Sequence, residues 1–261
     1  HHLTGAADMD LELRDRTVLI TGGSQGIGLA TAKVFAEQGC HLVIVARSEE
    51  LLGQAAREMR EQHGVVVEAV CLDLAARGSA ERLAARFSSI DILINNAGAV
   101  AAGRLEDLSD EKWRAAWELK VFGYIDMCRH FYRVMAARGR GVILNIVGTA
   151  AHTKDPGYIC GATANAALVA FSQSLGSDSP RDGIRVNALN PGPVSTERRQ
   201  RFEAYQRESG KVDETPMPFG RIATPEEIAW TVAFLCSPRS AYTSGATISI
   251  DGGLSAACAP I

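Results

Sequence analysis

The chain has 261 residues, of which 46% are hydrophobic, and its 27 basic and 30 acidic side chains leave a formal net charge of −3. This length and composition suit one large globular α/β domain. The near-neutral charge argues against nucleic acid or an anionic membrane surface as a partner. No apolar run reaches the roughly 18 residues that a membrane span needs.

The cysteines are scattered along the chain without a CxxC pair or a metal-ligand spacing. They indicate free thiols in a reducing compartment, so we expect a cytoplasmic protein without a metal site. The six residues are Cys40, Cys71, Cys128, Cys160, Cys236 and Cys258. His1 and His2 resemble the end of a purification tag. We therefore expect residues 1–10 to lie outside the fold and residues 11–261 to form a single domain.

The glycine-rich stretch at residues 18–28 predicts a nucleotide-binding turn. It joins a short apolar run to residues 29–36, which have a helical pattern, and a strand-turn-helix unit presents backbone N–H groups to a phosphate. Gly22 permits the turn, Gly26 lets the backbone approach a pyrophosphate, and Gly28 allows close helix–strand packing. The turn residues expected to bind the cofactor are Gly22, Ser24, Gln25, Gly26, Ile27 and Gly28.

A second buried strand, at residues 40–47, ends where a dinucleotide fold meets the adenosine ribose. A carboxylate at this point would bind the 2′-hydroxyl of NAD. The sequence instead has Ala46, Arg47 and Ser48. Because an arginine is placed to bind a 2′-phosphate and no carboxylate repels it, NADP(H) is favoured over NAD(H). The alternative is that Arg47 is an ordinary surface residue.

The next elements continue the alternation of strands and helices. They are a polar helix near 48–63, a strand at 65–72 leading to Asp73 and Leu74, another helix, and a strand at 90–94 that runs into Asn95-Asn96-Ala97-Gly98. Small residues after a buried strand let a cofactor ring lie against the backbone. Asn95 and Asn96 could instead tie neighbouring strand ends together, and both interpretations can hold at once.

These motifs resemble the classical short-chain dehydrogenase/reductase family over about Leu13–Leu254. The motifs are Thr21-Gly22-x-x-x-Gly26-Ile27-Gly28, Asp73, Asn95-Asn96-Ala97-Gly98, Asn190-Pro191-Gly192, Phe219-Gly220-Arg221, Thr243-Ser244-Gly245 and Asp251-Gly252-Gly253. The resemblance implies a doubly wound Rossmann fold with a parallel seven-stranded sheet, helices on both faces, a nicotinamide cofactor and usually a homotetramer. The further cofactor-binding residues that it implies are Asp73, Leu74, Asn96, Ala97, Gly98, Pro191, Gly192, Val194 and Thr196.

The resemblance also implies a catalytic tetrad of Asn, Ser, Tyr and Lys, and all four positions are substituted in this sequence. The Asn position, in the helix after the fourth strand, is Lys120. The Ser position, after the fifth strand at residues 142–147, is Gly148. The Tyr and Lys positions are Gly161 and Asn165. This alignment is supported because the spacing from Gly148 to Gly161 equals the family's Ser-to-Tyr spacing.

A shifted alignment does not restore the tyrosine motif. Tyr158 is the only tyrosine nearby, but Ala162 stands four residues later, and Asn145, thirteen residues earlier, lies inside the strand. If the helix has already begun at Tyr158, this residue lies one turn before Gly161 on a similar face. We therefore predict that the Tyr158 phenol enters the space that Gly161 leaves and acts as the proton donor.

Lysine and asparagine have exchanged places relative to the family pattern. In the family the two groups are neighbours joined through water, so the exchange keeps one ammonium and one amide in the same pocket. An ammonium near a phenol lowers the pKa of the phenol, as a proton-shuttling tyrosine requires. We expect Lys120 to tune Tyr158, and Asn165 to hold a water molecule or the ribose. The alternative is a decayed site in which Lys120 points to solvent.

Three further segments bear on assembly and substrate. The helix predicted at 110–137 carries an apolar stripe that indicates core and subunit interface, and with the helix at 158–175 it predicts a homodimer or homotetramer.

His152, in the loop 148–156, could be an alternative acid, although a lone loop histidine is more often a surface residue. The resemblance makes residues 194–220 a substrate lid. Its arginines, which could meet an acidic substrate or simply face solvent, include Arg198, Arg199, Arg201 and Arg207.

Together these features predict an NADP(H)-dependent oxidoreductase that transfers a hydride between nicotinamide and a carbonyl or secondary-alcohol substrate. The rival class is a nucleotide-binding protein without this chemistry, acting as a sensor or as an inactive partner subunit. The sequence separates the two poorly, because the predicted cofactor turn is intact and the tetrad is not.

Overall fold

One seven-stranded parallel sheet organises the molecule, as the sequence predicted. The computed structural model describes residues 9–98, 100, 102–197, 199–200 and 217–256. The strands lie in the order β3-β2-β1-β4-β5-β6-β7 and pair in parallel throughout. They are β1 (Thr17–Thr21), β2 (His41–Ala46), β3 (Val67–Cys71), β4 (Ile92–Asn95), β5 (Gly141–Ile146), β6 (Ile184–Pro191) and β7 (Thr247–Ile250).

Helices follow the strands along the chain and cover the sheet. They are α1 (Gly26–Glu37), α2 (Glu49–His63), α3 (Ser79–Arg86), α4 (Asp110–Trp117), α5 (Gly123–Ala136), α6 (Ala150–Thr153), α7 (Ile159–Asp178) and α8 (Pro225–Cys236). The best-capped of them, α8, begins with a reciprocal capping box: Thr224 accepts from the Glu227 N–H, and the Glu227 carboxylate accepts from the Thr224 N–H.

Each face of the sheet has its own hydrophobic core. Side chains alternate along β1, so Val18 and Ile20 pack with α1, α2 and α8, whereas Leu19 packs on the opposite face with α3 and α5. All three side chains have 0% relative exposure. A parallel sheet is covered on both faces in this way because its crossover helices lie on both sides.

The strand order reverses between β1 and β4, and this reversal positions the site. β1 pairs with β2 on one side and with β4 on the other. In open parallel sheets, ligands bind outside the carboxyl ends of the strands at such a reversal. The glycine-rich turn after β1 and the segments after β4, β5 and β6 therefore meet at one edge of the sheet.

The structure corrects two predictions about individual segments. The helix predicted over 110–137 is interrupted by a π-helical segment at Glu118–Phe122. A π-bulge changes the direction of the side chains that it carries and is frequent at functional sites, and this one carries Lys120. The segment 148–156 is not a plain loop, because it contains the short helix α6.

Most of the stripe on the predicted helix 110–137 is core within the single chain. Five of its side chains are buried there: Val121, Tyr124, Cys128, Phe131 and Met135. The burial accounts for these residues without a second subunit, so they do not support the interface assigned to them from sequence. A homodimer or homotetramer stays a prediction.

The described ranges contain neither a membrane-spanning helix nor a cluster of metal-ligating side chains. No helix among them is long and apolar enough to cross a membrane. No group of three or more His, Cys, Asp or Glu side chains within the described part of the chain is arranged to hold a metal ion. Five of the cysteines are free thiols, whereas Cys258 lies outside the described residues.

Candidate active site

The turn after β1 requires glycine at three positions. Gly22 and Gly26 have φ values of +68° and +54°, in the left-handed region that favours glycine. A Cβ on Gly28 would collide with the carbonyl oxygen of Gly22, so α1 can pack against the turn only without a side chain there. The turn is also held to β2, because the Gly22 N–H donates to Val45 O at 2.7 Å.

The N-terminus of α1 is built to receive an anion. Its N-cap residue, Gln25, makes no side-chain capping hydrogen bond, and the first turn contains no acidic residue. The first N–H groups of a helix and its dipole then favour a phosphate. The Gln25 amide instead donates to the Glu197 carboxylate at 2.9 Å. The Thr196 Cγ2 lies 3.2 Å from the place of a Cβ on Gly26, so the segment after β6 borders this turn.

The residues after β4 do tie strand ends together. The Asn96 side chain donates to Thr21 O at 3.0 Å and to Gly22 O at 3.3 Å. The Thr21 hydroxyl accepts from the N–H groups of Asn96 and Ala97 at 2.9 and 3.0 Å. Asn95 donates to Asn145 Oδ1 at 2.9 Å, linking β4 to β5. The tying role is thus confirmed for both asparagines, while cofactor contact by Asn96, Ala97 and Gly98 stays a prediction.

The end of β2 presents an exposed cation beside a helix cap. Arg47 is exposed, and the Ser48 hydroxyl accepts from the Leu51 N–H at 3.4 Å as the N-cap of α2. After β3, the Asp73 carboxylate accepts from the Ala75 N–H at 3.0 Å. Arg47 is therefore an exposed cation at the carboxyl edge of the sheet, and its contact with a 2′-phosphate stays a prediction.

Three side chains, from the π-helical segment, α5 and α7, bind consecutive carbonyl groups at the end of β5. Tyr124 donates to carbonyl 146 at 2.9 Å, Lys120 to carbonyl 147 at 2.7 Å, and Asn165 to carbonyl 148 at 3.4 Å. This arrangement brings the ammonium and the amide of the predicted Lys–Asn exchange to adjacent residues of one segment. Lys120 is half-buried and its ammonium donates to a backbone carbonyl, so it does not simply point to solvent. Whether it tunes Tyr158 or belongs to a decayed site stays open.

Tyr124 is a structural hydroxyl and not a candidate acid. Its side chain is 2% exposed, and burial raises the pKa of the phenol far above its ordinary value. Burial opposes ionisation because the phenolate loses its hydration.

Asn165 occupies the space beside Gly148 and has one unsatisfied atom. Its Nδ2 lies 2.9 Å from the place of a Cβ on Gly148, whose φ is +134°. The side chain is 2% exposed, and its Oδ1 accepts no hydrogen bond from any described residue. An unpaired buried acceptor costs about 1–3 kcal/mol, so a donor from a ligand or a water molecule would stabilise it.

Tyr158 occupies the space that Gly161 leaves open. The residue flanks the N-terminus of α7, and a Cβ placed on Gly161 would collide with Cε1 and Cζ of its ring. The ring packs against the apolar cluster of Val100, Ala116 and Cys160. Tyr158 is therefore half-buried between Gly161 and this cluster, and the direction of its hydroxyl toward a substrate stays a prediction.

Sequence reasoning missed four polar residues at the carboxyl edge of the sheet, or gave them only a doubtful role: His152, Thr149, Asn190 and Asp251. Asn190, at the end of β6, accepts from the Gly148 N–H at 3.3 Å and bonds His152 Nε2 at 3.0 Å. Thr149 donates to the Asp251 carboxylate at 2.7 Å, which joins the segment after β5 to that after β7. A polar residue at a strand end, as at Asn190, was the signal available in the sequence.

The segment after β6 is placed by backbone hydrogen bonds. Gly192 N donates to Ile250 O at 2.9 Å, and Pro191 O accepts from Thr149 N at 2.9 Å. Val194 forms an isolated parallel bridge with Ala223. The predicted lid falls largely on residues 201–216, outside the described part of the chain, as do Arg198, Arg201 and Arg207. The lid assignment therefore stays a prediction.

The sheet is doubly wound, and a glycine-rich turn and the N-terminus of α1 lie where its strand order reverses. These features are typical of dinucleotide-binding α/β proteins. The family model described as enoyl-(acyl carrier protein) reductase matches residues 22–255. The chain belongs to the short-chain dehydrogenase/reductase family, and the resemblance noted in the sequence is confirmed. It is an oxidoreductase of that family.

Three relatives illustrate the range of this likeness. The 3-oxoacyl-[acyl-carrier-protein] reductase of Chlamydia muridarum is 30% identical over 250 residues, covering 94% of this chain and 100% of its own. The galactitol 2-dehydrogenase (L-tagatose-forming) of Cereibacter sphaeroides is 33% identical over 241 residues, covering 90% and 92%. The L-sorbose reductase of Gluconobacter frateurii, solved with NADPH and L-sorbose, has a TM-score of 0.86 at 33% identity, covering 96% and 100%.

Proposed function

We propose that this chain is an NADP(H)-dependent oxidoreductase that interconverts a carbonyl compound and a secondary alcohol. The observation that carries the proposal is that the Tyr158 ring fills the space beside Gly161. Lys120 and Asn165 donate to the consecutive carbonyl groups 147 and 148, after the end of β5. The named relatives reduce or form a carbonyl group on acyl or sugar substrates, which supports this reaction type.

The residues at the carboxyl edge of the sheet fit a nicotinamide dinucleotide. The turn at residues 22–28 tolerates no side chain at Gly28, and the α1 N-terminus has no side-chain cap, so the pyrophosphate would be held there. Hydride transfer to the carbonyl carbon is the chemistry that the cofactor supplies when bound. We propose that the unpaired Asn165 Oδ1 accepts a hydrogen bond from a ribose hydroxyl or from a water molecule.

Within this site the phenol of Tyr158 supplies the proton. In the reducing direction its O–H bond breaks as the proton passes to the substrate oxygen, and the phenolate is reprotonated from solvent. The Lys120 ammonium is held by carbonyl 147 in the adjoining segment, where its positive charge favours the phenolate. We also propose that 11–261 is one domain, that 194–220 closes over the substrate, and that the protein assembles as a homodimer or homotetramer.

A substrate screen tests this function. NADPH oxidation is followed with a panel of ketones, aldehydes and diketones that includes a ketose and a 3-oxoacyl thioester, beside a titration of NADPH binding. Turnover of at least one carbonyl compound is expected. NADPH binding without turnover of any of them would contradict the proposal and favour the nucleotide-sensing alternative.

The preference for NADP(H) depends on Arg47 and gives a direct prediction. The wild type should bind NADPH more tightly than NADH, and Arg47→Ala should lose about 1.5–3 kcal/mol of NADPH affinity, because a charge-assisted phosphate contact is removed. NADH affinity should barely change. Fluorescence titration of both cofactors measures this, with the exposed Arg57→Ala on α2 as a control. Equal affinities for the two cofactors in the wild type would contradict the assignment.

A further inference from the structure

A chain of hydrogen bonds connects Gly148 to a histidine outside the four tetrad positions. The Asn190 Oδ1 accepts from the Gly148 N–H at 3.3 Å, and the Asn190 Nδ2 lies 3.0 Å from His152 Nε2. The orientation of this amide is determined by its neighbours. If its oxygen and nitrogen were exchanged, the NH₂ group would face the Gly148 N–H, donor against donor.

The orientation of Asn190 determines the tautomer of His152. Since Asn190 Nδ2 is a donor, His152 Nε2 must be the acceptor, and a neutral imidazole then carries its hydrogen on Nδ1. The hydrogen bond therefore holds His152 in the neutral Nδ1–H form, with Nδ1 as a donor. No acceptor for this N–H is found among the described residues.

His152 is also close to Gly148 along the chain. The segment turns into α6 directly after Gly148, with Ala151 N donating to Gly148 O at 3.2 Å and His152 N donating to Thr149 O at 2.8 Å. His152 is thus one helical turn beyond the position where the family resemblance implies a serine.

The side-chain donors of three neighbouring residues are already engaged. The Thr149 hydroxyl donates to Asp251 at 2.7 Å, and Asn190 is 0% exposed with both ends of its amide bonded. Asn165 is 2% exposed, with its Nδ2 directed at Gly148 O. His152 is exposed and retains one N–H for a ligand.

We propose that His152, held by Asn190 as the Nδ1–H tautomer, donates a hydrogen bond to the substrate oxygen at the end of β5, where Gly148 has no side chain to do so. This inference rests on the proposed function and deepens it by naming a second group on the substrate. The hydrogen stays on Nδ1 throughout, while the proton that is transferred comes from Tyr158. A fixed donor at this place stabilises the negative charge that develops on the oxygen as hydride reaches the carbon.

The first test is kinetic. His152→Phe should lower kcat about 10²-fold with the best carbonyl substrate of the screen, the loss seen when one donor to a developing oxyanion is removed. His152→Gln, whose amide can donate, should recover at least a tenth of wild-type kcat. NADPH affinity should change less than twofold in both. Thr153→Ala, the next residue on α6, is the matched control and should keep wild-type kcat.

The second test needs no turnover. The ¹⁵N shifts of histidine-labelled protein at alkaline pH distinguish the two neutral tautomers, and the His152 signals are assigned by their loss in His152→Gln. The Nδ1–H form is expected in the wild type. The Nε2–H form, or full kcat in His152→Phe, would overturn this inference while leaving the proposed function intact. A wild type that turns over no carbonyl compound would contradict both.

Discussion

Replacing Tyr158 by Phe should lower turnover by about 10²–10⁴-fold while leaving NADPH affinity nearly unchanged. The substitution keeps the ring in the space beside Gly161 and removes only the hydroxyl, so packing against Val100 and Cys160 is retained. The loss should appear in kcat and kcat/KM together, because proton donation matters only in the transition state. Steady-state NADPH oxidation with the best substrate of the screen measures it.

Tyr242→Phe is the matched control for this experiment. Tyr242 is fully exposed, and the same atom is removed there without touching the sheet edge. Thermal unfolding of both variants should follow the wild type. If Tyr158→Phe retained wild-type turnover, the phenol would not be the proton donor.

The pH dependence of the reaction should report on Lys120. Lys120→Met removes a positive charge that favours the phenolate, so the pKa of the catalytic phenol should rise. In reduction the falling alkaline limb of the pH–rate profile then moves to higher pH, and in oxidation the rising limb moves in the same direction. Lys112→Met, an exposed lysine on α4, serves as the control. If the pH–rate profile of Lys120→Met matched that of the wild type, Lys120 would not influence the pKa of the catalytic phenol.

Gly26→Asp should abolish cofactor binding, the second of the two largest effects. At φ +54° a side chain is strained, the Cβ would lie 3.2 Å from Thr196 Cγ2, and the carboxylate would place a negative charge at the N-terminus of α1, where a pyrophosphate is expected. NADPH affinity should fall more than 100-fold in a binding titration. The remaining question is whether strain alone accounts for the loss.

Gly64→Asp answers that question. Gly64 has φ +67° and nothing within 4 Å of an added Cβ, and it ends α2 far from the carboxyl edge of the sheet. Gly64→Asp therefore introduces the same kind of backbone strain as Gly26→Asp, but away from the proposed cofactor site. NADPH binding should survive this substitution. A folded Gly26→Asp protein with normal affinity would remove the turn from the proposed cofactor site.

Part of the candidate site follows from local sequence, and part of it does not. The left-handed glycines of the turn are needed for local backbone reasons, so Gly22 and Gly26 could be assigned from spacing alone. The Tyr158–Gly161 contact could be predicted because one helical turn separates the two residues. The bond between Asn190 and His152 could not, because the two residues are 38 positions apart and the pairing depends on how the ends of β6 and α6 meet.

The sequence by itself determined the class of fold and the place of the cofactor turn, since alternating apolar strands and helices leave few ways to cover a parallel sheet. Only the tertiary structure decided which polar groups meet. The ammonium of Lys120 reaches carbonyl 147 from a π-helical segment, and Asn165 lies beside Gly148 because α7 packs against α6 and β6. These contacts join residues far apart in sequence, and no local periodicity encodes them. They form where helices pack against strand ends. A buried polar group without a hydrogen bond there costs folding free energy, so the folded state is one in which most such groups are paired.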